Sequence, residues 1–457
     1  MNTLQVGFSR VNITPPLGCS VYGYFIPRIA DGVLDDLYVR TLVLACGETK
    51  IAVVSIDNGG IPMETLVPMK EAITAATGIP MDALYIHETH THTGPLVDKD
   101  AVNPLADKDT KNLMDLEYVR WLTIKLVDSV QLAINDIKPA KMGYAVGNAP
   151  NIAFIRRFRM KDGSVKTNPG VDNPDIVAPI GSVDERVNVL RFDRDGDSIV
   201  LVNFGVHPDV VGGSKISADW PGFVCSTLEQ ALPGVKALFF NGAEGDVNHV
   251  NVHPRGGDLN DMFNDFDDVT RGYGHARHMG RVIAGGVLQV FDKVHYVDVD
   301  SIRYGVRMVK VPSQMPDPSE LPEAHRINDI HEAGQDEQLP YTGMMLTTVV
   351  AEAARMVRLE NGPEFFEMPI SGVAIGDVAL VGLPGEPFTG IGRGLKETEG
   401  WALILPTCIT NAYEGYFPMQ DSYDEGGYEA RSSNFKAGTA ELLINEGKEL
   451  LQMLSKK

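Results

Sequence analysis

Five apolar runs in this chain break off, each within a few residues, into clusters of His, Glu, Asp or Tyr. ALYI (83–86) leads into His87, His90 and His92, and SIVLVNFGV (198–206) into His207. KALFFNG (236–242) leads into Glu244, Asp246, Asn248 and His249, VALVGLPG (378–385) into Glu386, and ALILPTCITN (402–411) into Tyr413 and Tyr416. Short apolar runs of this kind read as buried strands. Open α/β sheets build their sites beyond the carboxyl ends of strands. The fold must therefore gather strand ends that the sequence scatters over more than 300 residues.

Runs at 41–46 and 51–56 (TLVLAC, IAVVSI) add two more buried strands. Helix-period segments fall at about 63–76, 115–137, 219–231, 272–293, 344–360 and 436–455. No repeat or low-complexity linker divides the chain. The pattern predicts a mixed α/β fold: one large domain over 1–457, with central β-sheets flanked by helices and a metal site at the C-terminal ends of strands. Segments 158–186 and 250–270 are rich in Gly, Pro, Asn and Asp and read as long loops. The Pro- and acid-rich stretch 312–340 reads as a lid or excursion.

Charge narrows the partners. Lys and Arg number 40 against 61 Asp and Glu, a net charge of −21. Nucleic-acid binding rests on neutralising phosphates, so a polyanion is excluded as the main partner. An anionic membrane surface is disfavoured likewise. No stretch approaches the roughly 18 apolar residues of a membrane span, and MNTLQVGFSRVNITPP lacks the basic and apolar regions of a signal peptide. Cys19, Cys46, Cys225 and Cys408 are scattered, with no CxxC. These features predict a cytoplasmic protein acting on a small-molecule substrate, without membrane insertion, and leave a homo-oligomer open.

Of 11 histidines, three fall in His87-Glu-Thr-His90-Thr-His92-Thr-Gly-Pro95. On extended chain an H-x-H pair points to one side, and imidazole is the commonest metal ligand. Any one of the five polar endings alone is an ordinary turn, and Glu386 alone a helix N-terminal acid. Their joint recurrence is what a site assembled from distant segments looks like.

The motifs THTHTGP (89–95), NFGVHPD (203–209), NGAEGDV (241–247), LPGEPFTGIGRGL (383–395) and NAYEGYFPMQDSYDEGGYEARSS (411–433) resemble the catalytic domain of neutral/alkaline ceramidases. ITPPLGCSVYGY (13–24) matches their N-terminal stretch, and the resemblance runs from about residue 6 to about residue 455. The C-terminal β-sandwich of those enzymes has no counterpart in this sequence. The resemblance implies a zinc amidase in which His90, His207, Glu386 and Tyr416 hold one Zn²⁺. It implies His92 as the catalytic histidine beside the metal and Tyr428 as the tyrosine that hydrogen-bonds the reacting carbonyl. Arg156, in FIRRFRMKDG, matches an active-site arginine, with Arg157 adjacent and Ile155 where the family has Asn.

One departure changes the expected chemistry. The ceramidases carry Ser directly after Gly-Asp-Val, and this chain carries Asn248. An amide cannot become an alkoxide nucleophile, although it can donate a hydrogen bond to an oxyanion. The expectation is a zinc-dependent hydrolase cleaving an amide, ester or lactone of a small soluble substrate by metal-activated water. His92 would be the base, Tyr428, Arg156 and Asn248 polar partners of the substrate, and Glu244 and Asp246 groups that orient ligands. His249 and His253 lie where they could support a changed mechanism. A metal- and ligand-binding homologue without turnover and a zinc-dependent lyase remain alternatives, and the ligand set also suits iron or manganese.

Overall fold

A computed structural model describes residues 3–100, 112–254 and 271–455. Its larger sheet is built from β1 (Gln5–Asn12), β2 (Tyr38–Cys46), β3 (Thr49–Ile56), β4 (Leu84–Glu88), β5 (Lys138–Asn148), β6 (Arg186–Arg194), β7 (Asp197–Phe204) and β8 (Val235–Asn241). The order is β8-β7-β6-β5-β1-β2-β3-β4, and β9 (His295–Val297) pairs with β5. β3 pairs parallel to β4 and β7 parallel to β8, so within each pair the carboxyl ends lie together. A second sheet, in the order β10-β11-β12-β13, comprises Ile302–Pro312, Phe365–Ile375, Val378–Gly382 and Leu403–Thr407, with β12 and β13 parallel.

The parallel strands at these edges are buried along nearly their whole length, as continuous apolar runs require. The two sheets share one core, in which Val53, Ile86 and Leu122 cluster with Val373, Leu380 and Leu405. Helices cover the outside: α2 (Leu113–Asn135) lies on β1 and β2 with α1 (Met63–Thr77) against it, and α3 (Asp219–Ala231) and α4 (Tyr273–Val290) lie on the β6–β8 side. α7 (Thr389–Lys396) and α10 (Thr439–Ser455) pack on the second sheet. No helix among the described residues is long and apolar enough to cross a membrane.

Local chemistry sets the ends of these helices. Asn112 caps α2 by accepting from the backbone N–H groups of Met114 and Asp115. The helix therefore starts two residues before the apolar period alone suggests, and Pro139 follows soon after its end. α1 stops at Gly78, whose φ of 72° is the left-handed conformation that favours glycine.

Both the stretch read as a long loop, 158–186, and the stretch read as a lid or excursion, 312–340, contain regular structure. Within 158–186, Arg157–Met160, Val165–Thr167 and Ile176–Pro179 form a three-stranded sheet. These strands are too short and polar to stand out from their turn residues. Within 312–340, α5 (Leu321–Glu332) forms and packs on α6 (Gly343–Leu359) through Ala324, Ile327, Val349, Val350, Ala353 and Met356. Of the predicted loop 250–270, residues 255–270 lie outside the described residues.

Close packing of α2 on the sheet depends on Gly7, where a Cβ would lie 1.9 Å from the Ala133 carbonyl oxygen. Nothing flexible can yield there, because the obstacle is helix backbone. Gly7→Val should destabilise the protein by about 3 kcal/mol. Equilibrium denaturation with a midpoint unchanged from wild type would contradict this packing.

Candidate metal centre

The site forms where β4, β7, β8, β12 and β13 end. β4 stops at Glu88, so His90 and His92 lie beyond the strand, not on extended chain as the H-x-H spacing suggests. His90 takes a left-handed backbone with φ 72°. For a residue with a Cβ such a conformation costs about 1–3 kcal/mol and persists only where its surroundings impose it. Here the His90 N–H donates to the Asn58 carbonyl at 2.8 Å, and its Nδ1 donates to the Gly59 carbonyl at 2.5 Å. The turn brings His90 Nε2 to within 3.3 Å of His92 Nε2. His87 stays on the strand, stacks on Phe240 and accepts the Asn241 N–H, so it belongs to the core.

Glu386 and Tyr416 meet across a two-residue parallel ribbon, Glu386–Pro387 against Tyr416–Phe417. The chain between β13 and Tyr416 is laced into the larger sheet. Cys408 N–H donates to Asn241 O, Glu88 N–H to Ile409 O, and Asn411 N–H to Ile86 O. Ile409 and Asn411 carry φ values of 37° and 61°. This strained link lies between the edges of the larger sheet and carries Tyr413 to the site, where its hydroxyl donates to Glu386 Oε1 at 3.0 Å.

The resulting donor set is buried and points inward. His90, His207 and Glu386 are each 2% exposed or less. Glu244 touches His207 Nδ1 through its carboxylate, which leaves the lone pair of His207 on Nε2. The Gly59 contact leaves that of His90 on Nε2 as well. Glu386 Oε2 lies 3.6 Å from His90 Nε2 and 3.5 Å from His207 Nε2, with no hydrogen-bond donor among the described residues. Ligand atoms about 2.1 Å from a tetrahedral ion lie roughly 3.4 Å from one another. Glu386 faces both imidazoles at about that spacing, so the residues present fit a metal ion. The candidate ligand atoms of His90, His207, Glu244 and Glu386 all lie within 4.8 Å of one another, as do those of His90, His92 and His207. The contact to His207 places Glu244 behind that histidine, the arrangement in which a carboxylate orients a ligand.

Around this centre opens a cavity of about 440 Å³ lined by His90, His92, Glu386 and a wall of rings: Tyr22, Tyr24, Phe25, Tyr413, Tyr416 and Tyr428. Burial pushes the His92 imidazole well below its ordinary range, so it is neutral near pH 7. Its Nδ1 lies 3.7 Å from Asp209, which Tyr24 and Arg271 hold. Burial, with the Glu386 charge, holds the Tyr428 and Tyr416 phenols protonated. Tyr428 hydrogen-bonds Tyr416.

The remaining sequence candidates separate cleanly. Arg156 lies over the Tyr416 ring with 5.3 Å from guanidinium to centroid, hydrogen-bonds that residue and pairs with buried Glu429 at 2.7 Å. Arg157 points away, to Ser422 and Glu425. Asn248 does not line the cavity: its amide nitrogen donates to Asn168 Oδ1 at 2.7 Å and its oxygen accepts from Val250 N–H. Asp246 caps α7 through Thr389. His249 packs near His275, and His253 lines a separate apolar cavity. Tyr22, Tyr24 and Asp209 also belong to the site, and the only trace of them in the sequence is that VYGY and VHPD lie inside the motifs of the resemblance. Gly23, with φ 115°, lets that N-terminal loop lie directly against the His92 ring, where a Cβ would approach to 2.8 Å.

No protein-family model matches the chain. Among solved structures, the neutral ceramidase from Pseudomonas aeruginosa superposes with a TM-score of 0.73 at 17% identity, over 100% of this chain and 75% of that one. A ceramidase complexed with C2 superposes with a TM-score of 0.71, also at 17% identity, over 98% of this chain and 75% of that one. The chain has a neutral ceramidase-like fold.

In the metal-free protein burial presses His90 down, but the facing Glu386 carboxylate outweighs it and holds the imidazole up at about 9. Since this lies above the ordinary 6.5, the imidazole's contribution to stability is fully present below about pH 6.5 and is lost as pH rises through about 9. A bound metal must displace that proton. Zinc added at pH 7 should therefore release close to one proton, read by titration calorimetry in buffers of different ionisation enthalpy. A heat independent of buffer would contradict the assignment.

Proposed function

We propose that the protein is a zinc-dependent hydrolase that cleaves an amide, ester or lactone bond of a small soluble substrate by metal-activated water. The observation that carries this reading is the convergence of the His90, His207 and Glu386 lone pairs at the base of a ring-lined cavity. Two imidazoles and a carboxylate, with Tyr416 beside Glu386, form a donor set suited to zinc. A zinc ion held there lowers the pKa of water and polarises a carbonyl.

The chain's own residues supply the rest. Neutral His92 faces the same point through Nε2 and takes the proton of the attacking water, then passes it to the leaving group. Protonated Tyr428 donates a hydrogen bond to the carbonyl oxygen as negative charge develops there. Arg156 acts behind Tyr416, holding its ring and phenol in place, while Glu244 orients His207. Asn248, engaged with Asn168, lies in the short pairing of Val247–Asn248 with Phe154–Ile155 next to His207, so no side-chain nucleophile enters this reading. The similar solved structures are named ceramidases. The cavity of about 440 Å³ favours a small substrate for this chain.

The test is an untargeted hydrolysis screen on the zinc-loaded protein, run in ¹⁸O water. Hydrolysis places solvent oxygen in the product, whereas elimination does not. His92→Ala should retain zinc and lose about 10²- to 10⁴-fold in turnover. His90→Ala should lose both metal and turnover. A metal-free His90→Ala variant that still hydrolyses the substrate would end the proposal, and a fully zinc-loaded protein that hydrolyses nothing would favour a binding role without turnover.

A further inference from the structure

The outer wall of the cavity is closed from two unrelated parts of the chain. One is the loop from Tyr22 to Arg28, whose tip exposes Phe25 and Ile26 (43% and 60%). The other is α9 (Tyr428–Ser432), five residues fixed from below by Glu429, which is fully buried against Arg156 and Thr167. Phe25 and Tyr428 both line the cavity and meet edge to face, with ring centroids 6.5 Å apart. Their contact makes the wall continuous where it would otherwise open to solvent.

The two sides differ in how firmly they are held. α9 is anchored to α6 by Arg431 Nε donating to Glu352 at 2.9 Å and by Arg355 Nε donating to the Arg431 carbonyl at 2.9 Å. The loop is tied at its base, where Arg28 donates to the carbonyls of His92 and Gly213 at 2.8 and 2.7 Å. At its tip, His331 of α5 donates through Nε2 to the Phe25 carbonyl at 3.1 Å, while its Nδ1 lies 2.9 Å from Asp336. The α5–α6 pair, with its own apolar contacts, thus spans from the Phe25 backbone to the helix that carries Tyr428.

We propose that Phe25 is a specificity-determining residue, which closes the cavity edge to face against Tyr428 under a clasp from His331 and limits how long a substrate chain the site takes. This rests on the reading that a metal sits at the cavity base. An aromatic pair contributes by excluding volume and by its own contact energy. Truncating an exposed rim residue should leave the metal ligands and the fold intact.

Hydroxamates that chelate zinc measure this directly, with chain length as the ruler. Acetohydroxamate and octanohydroxamate would be titrated calorimetrically into the zinc-loaded full-length protein, with metal content and melting temperature as controls. Phe25→Ala should leave acetohydroxamate affinity within about two-fold and shift the ratio about ten-fold towards octanohydroxamate. Phe25→Tyr should keep the wild-type ratio, and His331→Ala should shift it in the same direction by a smaller factor. A ratio unmoved in both Phe25→Ala and His331→Ala, with both probes binding, would overturn the inference while leaving the metal reading intact. Failure of acetohydroxamate to bind zinc-loaded wild type would overturn both.

Discussion

Mutual repulsion among three lone pairs is the constraint on which this structure turns. Glu386 Oε2 faces His90 Nε2 and His207 Nε2 at about ligand–ligand spacing inside a buried site. Unpaired, such a group of acceptors is costly to bury. Each is held in that orientation by a partner on its far side: the Gly59 carbonyl behind His90, Glu244 behind His207 and the Tyr413 hydroxyl behind Glu386. Without a metal, a proton shared by His90 and Glu386 relieves the repulsion, which is why that imidazole titrates so high. The site is thus organised for a cation before one arrives.

Holding the donors there strains the backbone. His90, Ile409 and Asn411 all lie in the left-handed region, and none is glycine. The last two belong to the segment that bonds to both Asn241 and the β4 backbone, and so joins the second sheet to both edges of the first. Strain of this kind survives only where surrounding contacts outweigh it, and here they are the shared core of Val53, Ile86, Val373 and Leu405. The packing of two sheets and the placing of four side chains are one arrangement.

How much of this the sequence reveals follows from the reach of each signal. Buried parallel strands advertise themselves as apolar runs, and the polar residues that end them were legible as a site for the same reason. β1, β5 and β6 were not: KPAKMGYAVGN mixes Lys, Pro and Gly into a strand whose burial is partial. α5 hid because only Ala324 and Ile327 of its twelve residues are buried. The His90 turn, the Glu386–Tyr416 ribbon and the Phe25–Tyr428 contact are set by packing between distant segments, which no local period encodes. Arg156 and Arg157 look alike in FIRRF, yet neighbours along extended chain face opposite sides, and Arg156 alone meets the Tyr416 ring. Asn248 reads as a substitution in a reactive position, whereas the fold commits both ends of its amide to loop contacts.

The central claim is that one ion occupies the point where His90, His207 and Glu386 converge. Anomalous diffraction at the zinc edge, on crystals grown from zinc-loaded protein and collected above and below the edge, tests it most directly. A single edge-dependent peak is expected, bounded by those three side chains and by the Tyr416 hydroxyl. An edge-dependent peak elsewhere, with these residues facing one another across empty density, would contradict it.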